Sequence, residues 1–303
     1  MKVVIAGGSG LIGRRVIDEL LQTRHDVTVL SRSPEKVRKY FPNVHGKFWD
    51  AKTSNILIDV LHGADAIINL SGESIASKRW TRIQKERILS SRIESTRAIV
   101  DAIKKTQHTP RVLLNASAVG YYGNVPEGEV DEASSRGTGF LADVCAQWEA
   151  EALSVEELGI RVVLLRTGIV LDANGGVLQK FLPPFRFFIG GPLGSGRQWF
   201  PWIHLQDEVS AILFAMENER IAGPLNLAAP ESVRMTEFCR MLGNILHRPS
   251  WLYIPACALK LALGEMAEPL VLHGQKIIPK KLLETGFTFE FPKLEDALMN
   301  LLS

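Results

Sequence analysis

The chain has 303 residues, 46% of them hydrophobic and 22% charged, with a net charge of +2. That balance gives no electrostatic reason to expect nucleic-acid or anionic-membrane binding, and the length suits one large α/β domain or a domain plus a smaller lobe. Cys145, Cys239 and Cys257 form no C-x-x-C pair or disulfide framework, and the histidines lack metal-ligand spacing. No metal site is expected, and the expected setting is reducing and cytoplasmic. The apolar run at 3–6 ends in glycines, too short for a signal peptide or a membrane span.

That run, Val3-Val4-Ile5-Ala6, is of the kind a central parallel strand shows. Behind the glycines, Gly13, Val16, Ile17, Leu20 and Leu21 fall at i, i+3, i+4, i+7 and i+8, the stripe of a helix turned toward a sheet. Residues 27–30 supply a second strand and 66–70 another; 81–105 read as a long helix and 112–116 as a strand. A helix over 140–157 and a buried strand within 161–170 follow. This alternation predicts right-handed βαβ crossovers and an α/β fold with a doubly wound parallel sheet. Past Leu171 the pattern changes. Asn174-Gly175-Gly176 opens a segment rich in glycine, proline and aromatics that runs to Trp202, and helices are expected at 207–217, 236–246 and 294–302. The predicted division is a nucleotide-binding domain over 1–170, rejoined by 203–222, with an interleaved C-terminal lobe from 171–202 and 223–303.

The strongest local signal is Gly7-Gly8-Ser9-Gly10-Leu11-Ile12-Gly13, directly after a strand and opening a helix. Gly7 allows the tight turn, Gly10 lets backbone approach a pyrophosphate, and Gly13 brings helix close to sheet. The helix start at Leu11 and Ile12 offers free N–H groups and a positive dipole end to the anion. At the end of the second strand an NAD site would place an acid for the ribose 2′-OH; this chain has Ser31-Arg32, suited to a 2′-phosphate, so the expected cofactor is NADP(H). Asp50 is placed to accept from the adenine amine or to cap the next helix.

The turn, together with Asn69-Leu70-Ser71-Gly72, Leu165-Arg166-Thr167-Gly168 and Ile203-His204-Leu205-Gln206-Asp207, resembles the extended short-chain dehydrogenase/reductases. Ser71-Gly72-Glu73, the Ser117 to Gly123 segment, Pro183-Pro184-Phe185-Arg186 and the Gly190 to Gly196 segment resemble its atypical, NADP-binding epimerase family branch. The resemblance implies a Rossmann-type domain with NADP along the strand carboxyl ends and a C-terminal lobe closing over the nicotinamide. Leu70, Ser71 and Gly72 would then lie under the ribose and pyrophosphate, and Gly168 to Val170 would pass near the nicotinamide. Arg92 would reach a cofactor phosphate or a substrate anion.

The reaction of that superfamily needs a Tyr-x-x-x-Lys pair, in which lysine lowers the phenol pKa for proton exchange with the substrate oxygen. Here the two positions hold Leu141 and Cys145. Substitute catalytic candidates are Ser117, Tyr121, Tyr122 and Glu73. The aromatic segment 181–202 suits a substrate wall, a lobe core or a subunit interface, which leaves a homodimer as one alternative. Sugar-nucleotide epimerases usually carry a diphosphate-gripping arginine where this chain has Phe200. The leading expectation is an NADP-dependent oxidoreductase acting on an unidentified small molecule. The alternatives are a non-catalytic NADP(H)-binding sensor or interaction protein, and an epimerase-like isomerase.

Overall fold

The structure is a computed structural model describing residues 1–302. The first half runs β1 (Lys2–Ala6), α1 (Leu11–Gln22), β2 (Asp26–Ser31), α2 (Pro34–Tyr40), β3 (His45–Phe48), α3 (Asn55–Leu61), β4 (Ala66–Asn69), α4 (Arg82–Lys105) and β5 (Val112–Ala118). Then come β6 (Val125–Val130), α5 (Phe140–Leu153), β7 (Arg161–Thr167), β8 (Ile169–Asp172), β9 (Gly175–Gly176), α6 (Leu178–Arg186), β10 (Trp199–Phe200), β11 (Trp202–His204), α7 (Leu205–Glu217) and β12 (Gly223–Leu227). The chain closes with β13 (Val233–Arg234), α8 (Met235–Leu246), α9 (Ala256–Leu263), β14 (Gln275–Ile277), α10 (Lys280–Thr285) and α11 (Leu294–Leu302).

Seven strands form one parallel sheet in the order β3-β2-β1-β4-β5-β7-β12. Strand order reverses at β1, the point where α/β sheets open a crevice at their carboxyl edge. Period-two alternation divides the strands between two core layers. Val3, Ile5, Ile68, Leu114 and Leu165 pack with Val16, Ile17 and Leu20 of α1 and Val209 and Ile212 of α7. Val4, Ile67, Leu113 and Leu164 pack on the other side with Leu57 and Leu61 of α3 and Ile99 and Ile103 of α4. The edge strand β12 corrects the expected division: the sheet continues through Gly223–Leu227, which had been placed in the lobe, because β12 pairs with β7 along Gly223 to Leu227. Arg161 ties this edge down by donating to the carbonyls of Ala215, Met216 and Ile221 at 2.7–2.8 Å, closing the end of α7.

The aromatic segment divides. Phe181, Phe185, Phe200 and Trp202 join Phe238 and Leu242 in a third core, whereas Phe187 and Phe188 are exposed. α6 runs through Pro183 and Pro184, so composition concealed a helix. The expected helix over 140–157 stops at Leu153 and gives way to a short 3₁₀ turn. Among the described residues, no helix is long and apolar enough to cross a membrane.

Candidate functional site

The glycines after β1 separate by what a side chain would meet. Gly7 sits at φ +83°, and a Cβ there would lie 2.6 Å from the Leu70 carbonyl carbon and oxygen. A Cβ on Gly13 would lie 2.5 Å from the Gly7 oxygen and 2.7 Å from Gly8 Cα, so this glycine lets α1 close on the turn itself rather than on the sheet. Gly8, absent from the sequence candidates, is wedged between Val29 and Ile17, which a Cβ would meet at 2.8 and 2.9 Å. Gly10 is different. Its φ of −74° suits any residue, and the nearest atom to a Cβ would be the Gly7 oxygen at 3.4 Å. The protein has room for a methyl there, at a residue that lines the groove beside the Leu11, Ile12 and Gly13 amides that open the helix.

That groove is a cleft of about 660 Å³ at the carboxyl ends of β1, β2 and β4, lined by Gly7, Gly10, Ser31, Arg32, Asp50 and the Leu70 to Glu73 segment. Arg14, Lys36 and Tyr40 line it too, and sequence reasoning missed them. Arg14 Nε donates to the Ser9 carbonyl at 2.9 Å, with the guanidinium 5.2 Å from the Tyr40 ring centroid. An arginine directly after the third glycine was the available signal. Ser31 Oγ accepts from the Ser33 N–H at 3.0 Å, and Arg32 is exposed. Asp50 accepts from the Lys52 and Thr53 N–H groups at 2.9 and 2.8 Å and from the Thr53 hydroxyl at 2.7 Å. The Thr53 contacts, then Lys52, hold its carboxyl below the usual value. It locks its own turn; the residue before α3 is Ser54.

Two of the expected catalytic side chains, Ser117 and Tyr122, enter a buried relay. Ser117, at the end of β5, donates its hydroxyl proton to Glu149 Oε1 at 2.6 Å. Glu149 is held by Arg166 through two bonds, Nε to Oε1 at 2.9 Å and Nη2 to Oε2 at 2.8 Å. Arg166 Nη1 donates to the Tyr122 hydroxyl at 2.9 Å, which in turn donates to Asn226 Oδ1 at 2.7 Å. Burial opposes the charge of Arg166, yet Glu149 raises its pKa above the ordinary arginine value. Burial pushes Tyr122 up to about 12, against the pull of Arg166. The hydroxyls of Ser117 and Tyr122, both expected catalytic candidates, thus have protein acceptors in Glu149 and Asn226. Tyr121 is half-buried, its ring centroid 3.6 Å from the Arg166 guanidinium, and its hydroxyl bonds no protein group among the described residues. On α5, Leu141 is half-buried and Cys145 buried; burial, then Glu149, pushes the Cys145 thiol up to about 11.

With this groove and relay in place, sequence comparison assigns the chain. Residues 3–228 match the NAD dependent epimerase/dehydratase family, and 254–301 match a domain of unknown function. The chain belongs to the NAD dependent epimerase/dehydratase family. It is 42% identical over 300 residues to the chloroplastic epimerase family protein SDR39U1 homolog of Arabidopsis thaliana, covering 98% of this chain and 86% of that one. An epimerase family protein of Staphylococcus haemolyticus is 38% identical over 303 residues, covering 99% and 98%. The human epimerase family protein SDR39U1, crystallised with NADPH, superposes with a TM-score of 0.89 at 34% identity over 99% of both chains. A UDP-glucose 4-epimerase from Thermotoga maritima shares the fold, with a TM-score of 0.80 at 19% identity over 99% and 97%.

The remaining candidates of this epimerase family member are spread between cleft and scaffold. A Cβ on Gly168 would meet the Pro201 oxygen at 2.4 Å, so that glycine serves strand packing, and Val170 pairs with Ile203 between β8 and β11. Neither lines the groove described above. Glu73 is half-buried on the cleft wall, its N–H held by Ser91 Oγ at 3.0 Å. His204 caps α7 by accepting from the Gln206 N–H at 3.0 Å, and Asp207 accepts from the Glu290 and Phe291 N–H groups at 2.7 and 3.0 Å. Phe200 is 4.3 Å from Phe238, centroid to centroid, inside the lobe core, so the expected place for a diphosphate-gripping cation is apolar.

Proposed function

We propose that this protein is an NADP(H)-dependent oxidoreductase of the epimerase family that acts on a small molecule through a rearranged proton relay. The observation that carries the reading is the groove itself: Gly10 without a side chain at its lining, helix amides beside it, and Arg14, Arg32 and Lys36 along it with no acid at the end of β2. Those residues fit a dinucleotide bearing an extra phosphate, and the human relative crystallised with NADPH supports the same choice. Bound there, a nicotinamide supplies or accepts hydride. The chain's own part is to hold the diphosphate on main-chain amides, pair the 2′-phosphate with guanidinium and ammonium groups, and move one proton at the substrate oxygen. Tyr121 is assigned that proton, because its phenol is uncommitted whereas Ser117 and Tyr122 are spent on Glu149 and Asn226.

Titration with NADPH and NADH tests the reading, with tighter binding expected for NADPH; equal indifference to both would overturn it. Gly10→Ala should fold with a stability change of about 1 kcal/mol or less. Its methyl should nevertheless weaken NADPH binding about tenfold or more, since it enters space the diphosphate needs. Calorimetry on wild type and variant separates these effects, and unchanged affinity would sink the placement. Tyr121→Phe should leave NADPH affinity intact and cut turnover about 10²-fold or more. A non-catalytic NADP(H) sensor is the second reading, favoured by Leu141 and Cys145 at the pair positions. Bound NADPH that is never oxidised across a broad carbonyl panel, with a protein partner that distinguishes NADP from NADPH, would decide for it.

A further inference from the structure

Arg92 projects from α4 beneath the loop that leaves β4. Its Nη1 donates to the Glu73 carbonyl at 3.0 Å and to the Ile88 carbonyl at 2.9 Å, and its guanidinium carbon lies 5.0 Å from the Trp148 ring centroid. These contacts fix the guanidinium as a plate with one nitrogen spent. Its Nε and Nη2 find no protein acceptor among the described residues, and no carboxylate there comes within 4.0 Å. Neighbouring acids are engaged or apart: Glu149 is taken by Arg166 and Glu94 by Lys52, while Glu73 acts on Arg92 only at longer range. Burial lowers the pKa of this guanidinium, as it does for a cation short of solvent and counter-ion. A desolvated cation without a carboxylate is costly to keep, and an arriving anion offsets that cost.

Gly72 packs against the plate without a side chain. A Cβ at that position would stand 3.2 Å from the guanidinium carbon and 3.4 Å from Nη1. Gly72 has no left-handed φ, so its backbone does not require glycine. It is exposed and lines the cleft beside Ser71, Glu73 and Ser91.

We propose that Arg92, packed against Gly72, is an anion subsite of the cleft, and that the small substrate carries a carboxylate or phosphate group that docks on its free N–H edge. The inference rests on the NADP(H) reading for its location. It is separate from the dinucleotide's own phosphates, for which the α1 amides and the Arg14, Arg32 and Lys36 cations line the cleft. A planar guanidinium with two adjacent free nitrogens matches the two oxygens of such a group.

The test is calorimetric titration of the NADPH-loaded protein with acetate, malonate and inorganic phosphate at constant ionic strength, with NADPH affinity measured separately for every variant. At least one probe is expected to bind, and the carboxylate and phosphate arms identify which group is preferred. Arg92→Gln should weaken that probe about tenfold or more, and Arg92→Lys, which keeps charge but loses the fork, by less. Gly72→Ala should weaken it about threefold or more with the charge still present. NADPH affinity should stay within about threefold in the two Arg92 variants. Should Arg92→Gln fail to fold, the lysine and alanine variants carry the test. Failure of every probe to bind, or loss of NADPH rather than probe in Arg92→Gln, overturns the subsite. Wild-type protein that binds no NADPH but binds a probe in an Arg92-dependent way would sink the cofactor reading and leave the subsite standing.

Discussion

Glu149→Gln is expected to destabilise the protein by about 3–5 kcal/mol, the cost of leaving a buried guanidinium without its counter-ion. Arg166 and Glu149 have side chains only 3% and 6% exposed, so water cannot replace the lost carboxylate. The glutamine amide also turns one acceptor into a donor facing Arg166 or Ser117, both of which already donate to that side chain. Arg166→Met should lose a comparable amount through the opposite orphan. The double variant should be less destabilised than the sum of the two, because removing both charges leaves neither buried alone. Urea unfolding of the four proteins measures this. Strictly additive losses would mean that the two residues do not act as a pair.

Glu208→Gln should make the protein more stable at pH 8 while changing it little near pH 4.5. Glu208 is fully buried, with Oε1 accepting from the Thr167 hydroxyl at 2.8 Å and Oε2 without a partner among the described residues. Burial, opposed only by that hydroxyl, pushes its carboxyl up from 4.5 to about 8. Between those values the unfolded chain has released a proton that the folded one keeps. Stability from this group is therefore complete below pH 4.5, falls as pH rises, and levels off above pH 8. The steepest slope is about 1.4 kcal/mol per pH unit. Glutamine is neutral in both states and abolishes the slope. Urea midpoints at pH 5 and pH 8 test this; an equal difference between variant and wild type at both would refute a protonated Glu208.

The parts of the fold legible in the chain were those governed by local backbone rules. A strand running into glycines is a matter of φ and of near contacts within one turn, and the structure shows the first at Gly7 and the second at Gly7 and Gly13. Helix α11 lies where its apolar spacing placed it, at Leu294–Leu302. α6 did not announce itself, because Pro183 and Pro184 argue against a helix, while burial of Phe181, Leu182 and Phe185 in the lobe core decides for one. The role of Asp50 was readable only in outline: an acid near a strand end suits a ligand or a cap, and the Thr53 backbone decided which bond it makes.

The sequence by itself determined the βα alternation, the glycine turn after β1 and the absence of an acid at the end of β2, since each depends on residues within one or two turns of chain. Only the tertiary structure decided which hydroxyls are free. Ser117, Glu149, Arg166, Tyr122 and Asn226 come from four separate elements and a connecting turn, and their bonds exist because β5, β7 and β12 lie side by side. Arg92 likewise becomes an open cation through what is missing around it, a side chain at Gly72 and a carboxylate within reach. Partners distant in sequence are set by strand order and packing, and no local spacing encodes them.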